Sequence, residues 1–176
     1  MPTASVDVPH APDRVDPVLV RWWRVFNRGP GRSRRALALA ADAAFLAGGL
    51  LIVWSGYIHF HLWGKTNGYR SIPTIGWMFL VQSVAALVLG IGVAVVRRVW
   101  AAVLGVGFAL ATIAGFLVSV AHGLFGFQDT WLAPYATQAF AIEVAAAAVL
   151  CVAAVLSLVG SAPDVRAGSS PAGRGT

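Results

Sequence analysis

An acidic residue inside an apolar segment is the feature of this sequence that points most directly to chemistry. Glu143 lies within the apolar run between Tyr135 and Val159. A carboxyl group in a membrane costs free energy when it faces lipid, so such residues usually face the protein interior. Low-dielectric surroundings favour its neutral form. Two interpretations stay open: Glu143 binds a proton or a ligand, or it holds helices together through a neighbouring polar group.

Other polar side chains fall at a similar depth when the apolar runs are placed side by side. At ~1.5 Å per residue, Gln82 and Glu143 both lie ~12 Å from the same end of their runs, with Gln138 about one turn above Glu143. Ser55 and Ser119 approach this level from the opposite end. We therefore predict one polar pocket. Its members are Glu143, Gln82, Gln138, Ser119, Ser55 and, from an adjoining loop, Arg70.

Three histidines stand near the same ends of the apolar runs and are candidate ligands of haem or a metal. His59 and His61 are two residues apart, so on a helix they point to different faces. His122, from another run, could share one haem b with one of them, or the site could hold a quinone. The HxxxH and HExxH spacings of helical metal sites do not occur.

Signatures of the common enzyme classes do not occur either. The sequence has no Gly-x-Ser-x-Gly motif, no phosphate-binding loop and no dinucleotide fingerprint. Its single cysteine, Cys151, excludes an intramolecular disulfide and CxxC redox chemistry. The sequence therefore leaves enzymatic activity open and favours a protein that is not an enzyme.

The composition explains why buried polar groups are rare. Of the 176 residues, 58% are hydrophobic and only 11% are charged, whereas soluble domains carry about a quarter charged residues. The net charge of +6 comes from arginines near the N-terminus and in one short loop. This pattern is typical of membrane topology and of contact with anionic lipids, and it comes with no nucleic-acid motif.

Four apolar runs are each long enough to cross a bilayer. The sequence thus predicts an all-α membrane protein, an antiparallel bundle of four transmembrane helices within residues 36–160. Arg97 and Arg98 alone separate the second run from the third, which predicts a tight hairpin. Small residues at intervals of four along the third run predict close packing or a dimer face. The predicted spans are 36–58, 74–96, 99–122 and 135–159, and the small residues are Gly107, Ala111, Gly115, Ser119 and Gly123.

The residues outside the bundle divide into three segments. Residues 1–15 and 161–176 are rich in small and polar residues and are predicted to be disordered tails. Residues 16–35 form a cationic amphipathic segment next to the membrane, in which Asp16 and Pro17 begin a helix. The segment predicts a short interfacial helix that binds the membrane surface. Its membrane-binding residues are Arg21, Arg24, Arg28, Trp22 and Trp23.

The distribution of Lys and Arg predicts the orientation. Of the 13 positive residues, only Lys65 and Arg70 lie on one side, and the N-terminal segment, the second loop and the C-terminal tail carry the others. The positive-inside rule then puts both termini in the cytoplasm and the chain in the inner membrane. Thr74, after Pro73, is a predicted cap of the second span.

The stretch HFHLW…GYRSIPTIGWMFLVQ, residues 59–82, resembles uncharacterised four-span membrane proteins of high-GC bacteria, a resemblance that implies no activity. Small multidrug exporters also have four spans, but their essential Glu lies in the first span, where this chain has Asp42. The leading hypothesis is a membrane protein whose outer-half pocket binds a small ligand or lipid, or an accessory subunit of a larger complex or homo-oligomer. The alternatives are a redox anchor for one haem b or a quinone, and a small proton-coupled transporter.

Overall fold

The computed structural model describes residues 16–31, 35–64 and 69–160. The predicted disordered tails, 1–15 and 161–176, lie outside these residues. The described chain is helical, and a short 3-10 turn, Tyr69–Ser71, precedes the third helix. The helices are α1 (Pro17–Phe26), α2 (Arg35–Gly64), α3 (Ile75–Val96), α4 (Val99–His122) and α5 (Ala136–Gly160).

Four of these helices confirm the predicted membrane bundle. α2 to α5 have 30, 22, 24 and 25 residues and are apolar enough to cross a membrane. At ~1.5 Å per residue, even the shortest exceeds the ~30 Å of a hydrocarbon core. α2 continues past the predicted end of its span, to Gly64. The predicted cap of α3 is wrong, because Thr74 has a φ of 66° and its side chain makes no capping hydrogen bond.

Glycines set the closest approach in the bundle, between α2 and α3. A Cβ added to Gly49 would stand 2.6 Å from the Gly90 carbonyl oxygen, and one added to Gly90 would stand 2.7 Å from the Gly49 carbonyl oxygen. About two turns further along α2, a Cβ added to Gly56 would stand 2.6 Å from the Ala86 Cβ. Because these positions carry no side chain or only a methyl group, the two helices pack closely, and at Gly49 and Gly90 almost backbone to backbone.

α3 and α4 pack against each other much less than the short turn between them suggests. α2 packs extensively on α3 and α5, and α4 on α5, but α3 touches α4 at few positions. The predicted hairpin is therefore tight only at its turn. Gly105 of α4 packs on Leu150 of α5, whereas a Cβ at Gly107 or Gly115 would meet nothing within 4 Å. Of these small residues, Gly107 is exposed, and Ala111, Gly115 and Ser119 line a cavity between α3 and α4, so they are not a packed face within the described chain.

The two ends of the bundle differ, and we name them by their contents. The arginine end carries the Arg97–Arg98 turn, and the loop end carries residues 69–74 and 123–135. At the arginine end, Arg97 pairs with Asp42 of α2 at 3.2 Å. Arg98 donates a 2.6 Å hydrogen bond to the Asn27 carbonyl, just past α1. Asp16 caps α1 as predicted, accepting from the Val18 amide at 2.8 Å.

The interior consists of two apolar clusters with a polar level between them. The cluster toward the arginine end includes fully buried Phe45, Val93 and Leu150. The other, toward the loop end, includes Ile58 and Leu62. Along α2 and α5, the residues between the two clusters contain the polar side chains that the sequence singled out.

Candidate functional site

A hydrogen bond between two helices lies at the centre of the polar level. The Ser55 hydroxyl of α2 donates to Oε1 of Glu143 on α5 at 2.8 Å, and both side chains are buried. Glu143 is the only buried charged-type residue of the described chain. Its other oxygen, Oε2, receives no hydrogen bond from any residue that the structure describes. The predicted proximity of Ser55 and Glu143 is therefore observed.

His59 stands one turn from Ser55 on the same face of α2. Its Nδ1 lies 2.8 Å from the Ser55 carbonyl oxygen. Because a carbonyl oxygen only accepts, Nδ1 carries the hydrogen and donates it. The imidazole also packs against the Phe79 ring of α3, with 5.2 Å between ring centroids.

Gln82 makes its bond across the gap between α3 and α4. Its Nε2 donates to the Thr112 hydroxyl, which in turn donates to the Phe108 carbonyl within α4 at 3.1 Å. The sequence analysis missed Thr112, because a threonine in a helix ordinarily bonds its own backbone and so gives no signal. The polar character of Gln82 was a sufficient signal that its side chain faces the protein, but it did not indicate its partner.

Aromatic rings and Asp129 close the loop end. Tyr69 stacks on Phe79 at 4.7 Å, and Phe127 packs edge-on against Tyr69 at 5.7 Å. Burial, and then the charge of Asp129, raises the pKa of the Tyr69 phenol. The Asp129 amide donates to the Ser119 hydroxyl at 3.2 Å, which ties the loop to α4. Asp129 had no role in the sequence-based prediction.

These groups border two adjoining cavities in the loop-end half of the bundle. The larger, about 230 Å³, lies between α3 and α4, and we call it the α3–α4 cavity. The smaller, about 50 Å³, lies beside it and reaches Glu143. His59 and Asp129 border both cavities. The other polar residues of the α3–α4 cavity are Gln82, Thr112 and Ser119, and its apolar walls include Met78, Phe108, Ala111, Phe116 and Phe127.

Two residues of the predicted pocket lie elsewhere. Gln138 is exposed on the far side of α5, beside Trp54 of α2. Gln138 stands five residues before Glu143, which at ~100° per residue puts it ~140° away around the helix. The two residues have a similar depth but lie on different faces of α5. Arg70 is exposed, with its guanidinium 5.7 Å from the centroid of the Trp63 ring. Arg70 is therefore not a member of the pocket in which the sequence analysis placed it.

The predicted pairing of histidines is also corrected. His122 is exposed and borders neither cavity. His61 packs against Tyr57 and Tyr135 on another face of α2, as the two-residue spacing predicted. Within residues 16–31, 35–64 and 69–160, His, Cys, Asp and Glu form no group of three able to hold a metal.

Comparisons with protein-family models, curated proteins and solved structures gave no match. The geometry of the site therefore carries the functional argument. That geometry is an apolar cavity with a few convergent polar atoms, at a place where two helices separate. Cavities of this composition are the usual binding sites of small molecules in helix bundles.

Proposed function

We propose that this protein is a membrane-embedded binding protein for a small amphipathic molecule, which occupies the α3–α4 cavity and enters it from the lipid. The observation that carries the proposal is the cavity itself, between two helices that separate. Met78, on its wall, is 40% exposed at the protein surface, so the cavity communicates with the surroundings of the bundle. In a membrane those surroundings are acyl chains.

The size of the cavity limits what it can hold. A cavity of about 150 Å³ accommodates benzene, so about 230 Å³ suits one substituted six-membered ring or a short branched head group. A longer apolar tail would pass between α3 and α4 and remain in lipid. This fits a lipid or a quinone-like ring better than a large planar cofactor.

The other half of the bundle favours binding over transport. Phe45, Val93 and Leu150 are completely buried and fill the interior between the polar level and the arginine end. Asp42, in that half, is engaged by Arg97. A ligand or proton in the α3–α4 cavity therefore meets an apolar barrier in this conformation, and the transporter alternative lacks a path through the described helices.

We also propose the inner membrane as the location, with the arginine end in the cytoplasm, on the charge distribution described above. The cavity then opens in the outer half of the membrane. α1 supports this placement, since its arginines and its exposed tryptophans suit an anionic membrane surface. Trp22 and Trp23 are 56% and 70% exposed.

Heavy-atom quenching of tryptophan fluorescence provides the test. The probe is para-heptylbromobenzene, whose bromine quenches nearby indoles, added to the full chain in lipid nanodiscs. Trp131 packs edge-on against Phe116, a wall residue of the cavity, at 4.8 Å. We expect saturable quenching that disappears in the Trp131→Phe variant.

A matched pair of variants shows whether the probe sits in the cavity. Gly115→Leu puts a side chain into the α3–α4 cavity, and Gly107→Leu puts the same side chain on α4 away from it. The proposal is supported if quenching is lost in Gly115→Leu and kept in Gly107→Leu. Quenching that rises linearly with probe, equally in all variants, would be simple partition into lipid and would refute it.

A further inference from the structure

We infer that the α3–α4 cavity selects molecules whose head group donates hydrogen bonds and carries no negative charge. This inference rests on the proposed function, because it names the chemistry of the ligand for the same cavity. It follows from the direction of every hydrogen bond around the cavity, since those bonds determine which polar atoms are left to meet a ligand.

His59 presents an acceptor to the cavity. Its Nδ1 hydrogen is committed to the Ser55 carbonyl, so Nε2 of the neutral ring has a lone pair and no hydrogen. The described chain donates nothing to this atom. Because His59 borders both cavities, a donor placed in either one can reach the same imidazole.

Gln82 also presents an acceptor. The Thr112 hydroxyl gives its hydrogen to the Phe108 carbonyl, so the Thr112 oxygen must accept, and the Gln82 amide nitrogen has to face it. The Gln82 carbonyl oxygen, Oε1, is then left for a ligand. A flipped amide would put two acceptors together.

Asp129 adds an acceptor and a negative charge to the α3–α4 cavity, whereas Glu143 borders only the smaller cavity, where low-dielectric surroundings favour its neutral form. Asp129 Oδ1 accepts from the Thr130 amide at 2.8 Å, and Glu143 Oε1 accepts from Ser55. Their second oxygens receive no hydrogen bond from the described residues. No Lys or Arg of the described chain borders either cavity, and Arg70 lies against Trp63 instead.

The donors that remain in the α3–α4 cavity are few. They are the Ser119 hydroxyl hydrogen and the second hydrogen of the Gln82 amide. An ether or ketone head group would leave His59 Nε2 and Gln82 Oε1 without partners in an apolar cavity, which opposes binding. An anionic head group would meet Asp129, and none of the described residues that border the cavity is a cation that could balance both charges. A hydroxyl or an ammonium group satisfies the acceptors.

The test compares head groups on one constant tail. Para-heptylphenol donates a hydrogen bond, para-heptylanisole replaces that hydrogen by a methyl group, para-heptylbenzoate is an anion, and para-heptylbenzylamine supplies an ammonium group. Each competes with para-heptylbromobenzene for the cavity in nanodiscs. Affinities are expressed as mole fractions in the bilayer, so that different partition from water cancels.

We expect the phenol or the amine to bind at least roughly tenfold more tightly than the anisole, about the effect of one satisfied buried acceptor. The benzoate should bind most weakly. In Gln82→Leu, and independently in His59→Phe, the preference for a donor should shrink while anisole affinity persists. Whichever donor binds more tightly identifies the head group as hydroxyl or ammonium.

Two results separate this inference from the proposed function. Equal binding of phenol and anisole, or tightest binding of benzoate, would overturn the donor preference and leave the cavity as a binding site. A wild-type protein that binds none of the probes saturably would instead overturn the proposed function. If one variant does not fold, the other still reports, because His59 and Gln82 lie on different helices.

Discussion

Ser55 and Glu143 are joined by a 2.8 Å hydrogen bond, so the buried carboxyl on α5 is held by a hydroxyl from α2. The bond lies between two apolar clusters, where water is scarce and an unpaired polar group is costly. Glu143 offers its second oxygen to a cavity. The residue thus stabilises the bundle with one oxygen and is available to a ligand with the other.

Removing the hydroxyl should destabilise the bundle. In Ser55→Ala, Glu143 loses its donor, and we expect the free energy of unfolding to fall by about 1–3 kcal/mol. Ser83→Ala is the control, because the Ser83 hydroxyl bonds the Phe79 carbonyl of its own helix. Denaturant titration in mixed micelles measures both. A larger loss for Ser83→Ala would contradict the role given to the interhelical bond.

The crossing of α2 and α3 should not tolerate a methyl group. Gly90→Ala would put a Cβ against the Gly49 carbonyl, and overpacking of this kind costs about 1–3 kcal/mol. Gly107→Ala makes the same change where nothing lies within 4 Å. There we expect no loss, or a gain of up to about 1 kcal/mol from helix propensity. Thermal denaturation of the two variants measures both effects. Equal losses of stability would show that the crossing is looser than described.

Reporter fusions test the orientation. A phosphatase that works only outside the cytoplasm should be active when fused after Arg70 and inactive when fused after Arg98, because the second loop and the N-terminal segment carry the arginines. A reporter that fluoresces only in the cytoplasm should give the opposite pattern at the same two sites. If both reporters reverse, the α3–α4 cavity opens in the inner half of the membrane.

A histidine-ligated haem is not expected, since His122 is exposed and outside the cavities that His59 borders. The purified protein should therefore show a flat reduced-minus-oxidised visible spectrum after incubation with haem. The same sample should still bind para-heptylbromobenzene. A sharp b-type band that disappears in His122→Ala would restore the redox-anchor alternative and would require α4 to move.

α1 should respond to the charge of the lipid. In nanodiscs with brominated acyl chains, we expect Trp22 and Trp23 to be quenched more strongly with anionic than with zwitterionic headgroups, since Arg21 and Arg24 are exposed beside them. Arg21→Gln with Arg24→Gln should remove the difference, and 1 M salt should reduce it. Equal quenching with anionic and zwitterionic headgroups would argue against an electrostatic contact.

The depth of the polar residues was predictable, but their directions were only partly so. The helical rise is nearly constant, so counting residues put Ser55 near Glu143, and the two are bonded. Which side of α4 meets the protein depends on how α3 and α4 separate, and that is a property of the whole bundle. The sequence therefore could not show that Gly115 borders a cavity, or that Thr112 is the partner of Gln82.

Local signals near the helix ends were of mixed value. Asp16 followed by Pro17 predicted a capped helix, and α1 begins there. Thr74 after Pro73 carried a similar signal, but its φ is positive and its hydroxyl makes no capping hydrogen bond. A residue of the capping type forms a cap only where the surrounding loop allows its backbone the conformation that a cap requires.

The turn between α3 and α4 is shared with the N-terminal helix. The Arg98 guanidinium and the Val99 amide both bond carbonyls directly after α1, at Asn27 and Arg28, and Arg97 is bonded to Asp42 of α2. This turn is also where α3 ends and α4 begins. Detachment of α1 from the bundle would therefore remove bonding partners from the base of the two helices that border the α3–α4 cavity.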